Sequence, residues 1–162
     1  MSIDFMMPPN VLAVRDKIRA FIKDEIDPAE KELRKTLRWR EGIGELRRKA
    51  KAQGLWCPHM PAEFGGMGLG PLAMAMVSAE CGRSRLASFI LNAQAPDEGN
   101  MHTMLHFATP AQKEKYLRPL CDGKVRSCFA MTEPDAAGSD PTQIKTHAEK
   151  IGDNSLGVLL ER

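Results

Sequence analysis

Glu98, His102 and His106 fall at i, i+4 and i+8, so a regular helix would set all three on one face. Histidines one helical turn apart can hold a metal ion. There is no His-Glu-x-x-His pattern, however, and no cysteine lies close enough in sequence to add a ligand. A polar helical stripe is the preferred reading and no metal site is assigned. A metal-binding helical protein using His102 and His106 is the weaker alternative. The cluster Gly65-Gly66-Met67-Gly68-Leu69-Gly70 invites comparison with phosphate loops. Its spacing is not Gly-x-Gly-x-x-Gly, no Lys-Ser/Thr follows and no strand precedes it, so a tight interhelical turn needing positive φ is expected. The third stretch is Cys128-Phe129-Ala130-Met131-Thr132-Glu133-Pro134-Asp135-Ala136-Ala137-Gly138-Ser139-Asp140. It starts as an apolar strand and sheds its bulk abruptly, which raises the question of what is meant to lie against it.

The elements that would position these groups are mostly helical. Val11, Val14, Ile18, Phe21, Ile22 and Ile26 step by three and four, predicting an amphipathic helix with Asn10 as its cap. Asp27-Pro28-Ala29-Glu30 reads as a capping-box-like restart, so a kink or new helix is expected there, running through Leu33 and Leu37. Another helix is expected over about 41–53, stopped by Gly54. Pro71 opens a helix that is apolar nearly all round until Glu80, and such a helix is expected to be buried on every side. A further helix runs from about Leu86, is disturbed over 95–99 and resumes to about Phe107. Thr109-Pro110-Ala111-Gln112 caps one more, to about Leu120, and Asp122-Gly123 is a turn. Val125 to Met131 and Gln143 to Ile151 read as strands.

At 162 residues, with 43% apolar and 27% charged residues, the chain reads as soluble and globular. A net charge of +2 from near-equal numbers of both signs gives no reason to expect nucleic acid or an acidic membrane as partner. Cys57, Cys81, Cys121 and Cys128 include no Cys-x-x-Cys pair, which excludes the usual zinc frameworks and predicts buried thiols in a reducing compartment. Trp39 and Trp56 are expected to pack. Met1 to Phe5 has no basic residue ahead of an apolar run, and no apolar stretch approaches the roughly 20 residues of a membrane span. A cytoplasmic protein is the expectation.

Ala130-Met131-Thr132-Glu133-Pro134 followed by Ala136-Ala137-Gly138-Ser139-Asp140 resembles the acyl-CoA dehydrogenase signature. There a strand ending in Thr-Glu-Pro runs into a Gly-Ser-Asp turn. The resemblance extends to Pro61-Ala-Glu-Phe-Gly-Gly-Met-Gly68, to Thr109-Pro-Ala-Gln-Lys-Glu-Lys-Tyr-Leu117, and to Ile144-Lys-Thr-His-Ala-Glu-Lys-Ile-Gly-Asp153. Ala95-Pro-Asp-Glu-Gly-Asn-Met101 and Arg126-Ser-Cys-Phe-Ala-Met-Thr132 look most like the branch of family members 10 and 11. The match covers roughly residues 10–153.

The resemblance implies a mainly α chain: an N-terminal helical domain over 1–124, then the first strands of the family's middle β domain over 125–162. It implies FAD as cofactor, contacted by Phe129, Met131 and Thr132. Gly138 and Ser139 lie where the acyl-CoA thioester and pantetheine arm pass, with Ser139 touching substrate. Acyl-CoA would be the substrate, electron-transfer flavoprotein the acceptor and a homo-oligomer the complete assembly. Two departures stand out. Three residues, Asp135-Ala136-Ala137, separate Pro134 from Gly138 where most of the family has two. After Gly152-Asp153 the sequence runs Asn-Ser-Leu-Gly-Val-Leu-Leu-Glu-Arg162, without the family's Asn-Gly-x-Lys-x-Trp strand. The family's catalytic glutamate belongs to its C-terminal domain, so no catalytic residue is nominated here and Glu133 is given a structural role. The expectation is an N-terminal part, inactive alone. The alternative is a non-catalytic helical interaction module derived from that fold.

Overall fold

The computed structural model describes residues 6–33, 39–136, 138–151 and 155–159, the backbone alone at 39–40, 148–151 and 155–159. Leu37, Ala137, the Gly152-Asp153 turn and the Trp39 side chain lie outside the described residues. Two compact units are present, Met1–Ser127 and Cys128–Arg162.

In the first unit, α1 (Pro9–Phe21) and α2 (Asp27–Leu33) form one continuous rod joined by a π turn, Ile22–Ile26. Asp27 has helical dihedrals and its N–H reaches the Ile22 carbonyl, five residues back, so it does not cap a new helix. Pro28 explains the widened turn. Proline has no N–H and its ring crowds the carbonyl four residues earlier, and one extra residue per turn relieves both. Glu30 instead accepts a hydrogen bond from the Ser84 hydroxyl at 2.8 Å. Asn10 is likewise not a cap: α1 starts at Pro9, with Pro8 in the N-cap position.

Helix α3 (Trp39–Ala52) ends where expected. Gly54, at φ 66°, donates to Lys51 while Leu55 donates to Ala50, the paired bonds of a Schellman stop. Helix α4 (Pro71–Cys81) packs along α1, but only one face is covered. Ala73, Val77, Glu80 and Cys81 are buried while Leu72 is 47% exposed, so the expectation of burial on every side is corrected. Arg19 brings the Glu80 carboxylate inside, at 2.6 and 3.0 Å. A short α5 (Ala87–Ile90) and a loop lead to α6 (Asp97–Phe107). Thr109 then makes the full capping box with Gln112 and opens α7 (Pro110–Gln112). A second π turn, Lys113–Leu117, precedes α8 (Arg118–Cys121), which carries Pro119. Arg118 donates to Lys113, repeating the device used before Pro28.

Two apolar clusters hold this unit. One joins Ile18, Phe21, Ile22, Ile26, Leu46, Val77 and Ile90. The other joins Trp56, Met60, Phe64, Met101, Leu117 and Leu120. Cys57, Cys81 and Cys121 are buried as expected, whereas Cys128 is exposed.

The backbone of 125–131, which runs from the end of the first unit into the second, enters no ladder among the described residues, so the strand expected there is not found. A strand exists only with a partner for its N–H and C=O groups, and alternation in sequence does not supply one. The second expected strand is shorter than read: 141–143 form a 3-10 turn, and β1 (His147–Ile151) pairs antiparallel with β2 (Ser155–Leu159), His147 opposite Leu159.

Candidate functional site

Asp97, at the start of α6, is completely buried. Its carboxylate accepts from the Ser127 N–H at 2.8 Å, the Ser127 hydroxyl at 2.6 Å, the Gln94 amide and the Arg126 guanidinium. Burial pushes its pKa up, but the Ser127 hydroxyl and N–H together with Arg126 outweigh it and hold the carboxyl below its usual range. Asn100 donates to the Ser127 hydroxyl at 2.8 Å, so α6 grips residue 127 from two consecutive turns. Arg126 lies over the Phe89 ring at 4.8 Å and Arg47 lies over the same ring at 4.2 Å. Burial and the neighbouring Arg126 lower the Arg47 pKa, and Asp97 offsets this. The chain therefore enters the Thr-Glu-Pro stretch from a fixed point.

Within the second unit the expected site residues face outward. Phe129 is 69% exposed, Thr132, Gly138 and Ser139 are exposed, and Met131 is half-buried. Neighbouring carboxylates organise this segment. Glu133 accepts from the N–H groups of Lys145 and Thr146 and from the Thr146 hydroxyl, which lowers its pKa. That is the structural role expected of it. Asp140 accepts from the Thr142 N–H and hydroxyl and from the Gln143 amide, starting the 3-10 turn.

In the helical unit a cavity of about 310 Å³ opens between the end of α4 and the loop after α5. Its walls are small: Ser78, Gly82, Ser84, Ser88, Ala93 and Ala95, with Val77 and Cys81 at the apolar side. Gln94 also lines it; its Oε1 is itself buried, with no hydrogen-bond partner among the described residues. Such a space admits a slender apolar group.

The glycine-rich connection behaves as a turn. Gly65 and Gly68 have φ of 77° and 64°, and a Cβ on Gly66 would collide with the Met60 and Cys57 carbonyls. Glu98, His102 and His106 all lie on α6; among the described residues no three His, Cys, Asp or Glu side chains are arranged to hold a metal ion. His102 instead meets the buried His59, ring centroids 5.2 Å apart. Burial, with a smaller contribution from His102, lowers the His59 pKa to about 4.

The N-terminal domain model of the acyl-CoA dehydrogenases matches residues 8–124. The chain belongs to the acyl-CoA dehydrogenase family. It is 37% identical over 148 residues to acyl-CoA dehydrogenase family member 11 of Gallus gallus, covering 85% of this chain and 19% of that protein. It is 38% identical over 150 residues to family member 10 of Mus musculus, covering 86% and 14%. A solved Mycobacterium abscessus chain assigned to the acyl-CoA dehydrogenases is 33% identical, with a TM-score of 0.82, and the match covers 92% of this chain and 40% of that one. The chain thus spans about a fifth of the length of the first of these curated relatives. What sequence reading missed in this acyl-CoA dehydrogenase domain is Asp97, whose partners Arg126 and Ser127 lie 29 and 30 residues away, together with the buried His59.

Proposed function

We propose that this chain supplies the N-terminal helical domain and the flavin-facing segment of an FAD-dependent acyl-CoA dehydrogenase, which converts an acyl-CoA to its trans-2-enoyl-CoA. The observation that carries the reading is the Thr-Glu-Pro segment. Glu133 turns inward to hold Lys145 and Thr146, and Arg126 and Ser127 are anchored, while Phe129 and Thr132 stay exposed and their backbone unladdered. An open, unpaired backbone edge suits a flat ring. Phe129 and Met131 would hold FAD through backbone groups and Thr132 through its hydroxyl. Bound FAD supplies the hydride acceptor for the substrate β-carbon.

This chain's own contribution is positional. Gly138 and Ser139 would take the thioester arm of the substrate. Removal of the α-proton needs a base opposite the hydride acceptor. The family resemblance assigns that base to the C-terminal domain, so the isolated chain is expected to be inactive. Electron-transfer flavoprotein as acceptor, a homo-oligomeric assembly and a cytoplasmic location belong to this proposal. Among the described residues no helix is long and apolar enough to cross a membrane.

A chimera joining this chain to the remaining domains of the Mycobacterium abscessus relative tests the reading. It should bind FAD and oxidise acyl-CoA with an artificial electron acceptor. Thr132→Val should weaken FAD binding several-fold, the loss of one hydrogen bond of roughly 0.5–1.5 kcal/mol. Ser139→Ala should raise the acyl-CoA requirement with FAD content unchanged. A folded chimera without flavin would sink the proposal. It would favour the second reading, a non-catalytic interaction module, for which the exposed Leu72 on α4 is the supporting feature.

A further inference from the structure

We propose that Cys57, His59 and Met101 form a binding site for a soft monovalent metal cation of the copper(I) class, reached from the surface along His106 and His102. The proposal is independent of the flavin reading. Its geometry is a triangle of lone pairs. The Cys57 Sγ and Met101 Sδ are 3.5 Å apart, and the His59 Nε2 lies 3.3 Å from Met101 Sδ and 4.0 Å from Cys57 Sγ. An ion with metal–sulfur bonds of about 2.3 Å and a metal–nitrogen bond of about 2.0 Å sets its ligand atoms roughly 3.5–4 Å apart. The three atoms need shift only by a few tenths of an ångström to share one.

Packing explains this cluster poorly. His59 is 5% exposed, and its Nε2 faces two sulfur atoms, which are weak hydrogen-bond partners but good partners for a soft ion. An ion on Nε2 would place the ring proton on Nδ1, which has no partner among the described residues with or without the ion. Cys57 also has φ of 49°, a left-handed conformation that non-glycine residues adopt at a cost and that is enriched at functional sites.

The ligand set selects the ion. A thioether binds soft ions well and hard or borderline ones poorly. Counting only His, Cys, Asp and Glu, the described residues offer no metal site, so zinc lacks a ligand set. Charge selects the valence. The S–H bond of Cys57 breaks, a sulfur–metal bond forms and the proton leaves to solvent. The thiolate and a monovalent cation then cancel, whereas a divalent ion would leave a buried net charge. The neighbouring Cys121 thiol and burial push the Cys57 pKa up, so the metal–sulfur bond must displace the proton; Asn92 Nδ2, 3.8 Å from the Cys57 sulfur, works in the opposite direction and steadies the thiolate. The entry path is a ladder of imidazoles: exposed His106 stacks on half-buried His102 at 6.5 Å, and His102 meets His59 at 5.2 Å.

The test is anaerobic titration of the chain in a Cys128→Ser background, which removes the exposed thiol, with copper(I) delivered from a chelator of known affinity. One equivalent should bind, with copper–sulfur scattering in X-ray absorption. Met101→Leu, close in volume and so expected to fold, should weaken competition roughly tenfold or more with an unchanged helical circular dichroism spectrum. Cys57→Ser should abolish binding, and zinc(II) should bind roughly tenfold more weakly or worse. Any of three results overturns the proposal: no stoichiometric copper(I) binding, Met101→Leu binding as tightly as the parent, or zinc(II) competing equally.

Discussion

Asp97 is fully buried and ionised because donors surround it: the N–H and hydroxyl of Ser127, the Gln94 amide and Arg126. Its folded pKa is held below the usual carboxylate range, so its contribution to stability is complete above the unfolded value of about 4 and is lost as pH falls below it. Asp97→Asn should therefore cost about 1.5–3 kcal/mol in urea unfolding at pH 7, the scale of hydrogen bonds to a charged group. The cost should shrink toward pH 3, and a pH-independent loss would contradict the ionised assignment. Little of this was legible in the sequence. The Thr109 capping box was, because its partner Gln112 is three residues away. Asp97 needs partners brought close only by the fold, and a Pro-Asp pair at a helix start reads as nothing more than a favourable first turn. His59 was hidden for the same reason, since Met101 and His102 reach it from another helix.

At the scale of elements, helix order followed from apolar spacing and punctuation, but the consequences of two prolines did not. Pro28 and Pro119 sit inside continuous helical rods, each preceded by a π turn whose last bond spans five residues. Sequence alone suggests a break, because it says nothing of the packing that holds the rod together on either side. The strand expected at 125–131 failed for a related reason: propensity identifies an extended segment, whereas pairing is a tertiary fact. Glycines give an element-scale test with opposite signs. Gly44 lies exposed inside α3 with open space at its Cβ position, so Gly44→Ala should stabilise by roughly 0.5–1 kcal/mol. At Gly66 the same methyl group meets the Met60 and Cys57 carbonyls, so Gly66→Ala should lower the urea midpoint and loosen the turn. Equal effects at the two sites would mean that backbone crowding does not control this connection.

For the whole molecule, the division between the two compact units falls after Ser127. Val125 to Ser127 stay with the helical unit because Asp97 and Asn100 bind residues 126 and 127. Residues 126 and 127 are thus tied to the helical unit, and a chain ended at 124 should behave differently from one ended at 127. The shorter chain removes the Ser127 N–H, the Ser127 hydroxyl and Arg126 from the Asp97 carboxylate, leaving the Gln94 amide as the described donor. A buried carboxylate stripped of donors raises its pKa and destabilises the fold. The 1–124 chain should therefore unfold at lower urea than the 1–127 chain, by about 1.5–3 kcal/mol. Asp97→Asn should then change sign: destabilising in 1–127, where it loses charged hydrogen bonds, and neutral or stabilising in 1–124, where it relieves an uncompensated charge. The difference between the two effects is the coupling between Asp97 and residues 125–127, isolated as in a double-mutant cycle. If Asp97→Asn costs the same in both chains, the carboxylate does not hold this boundary and another contact must.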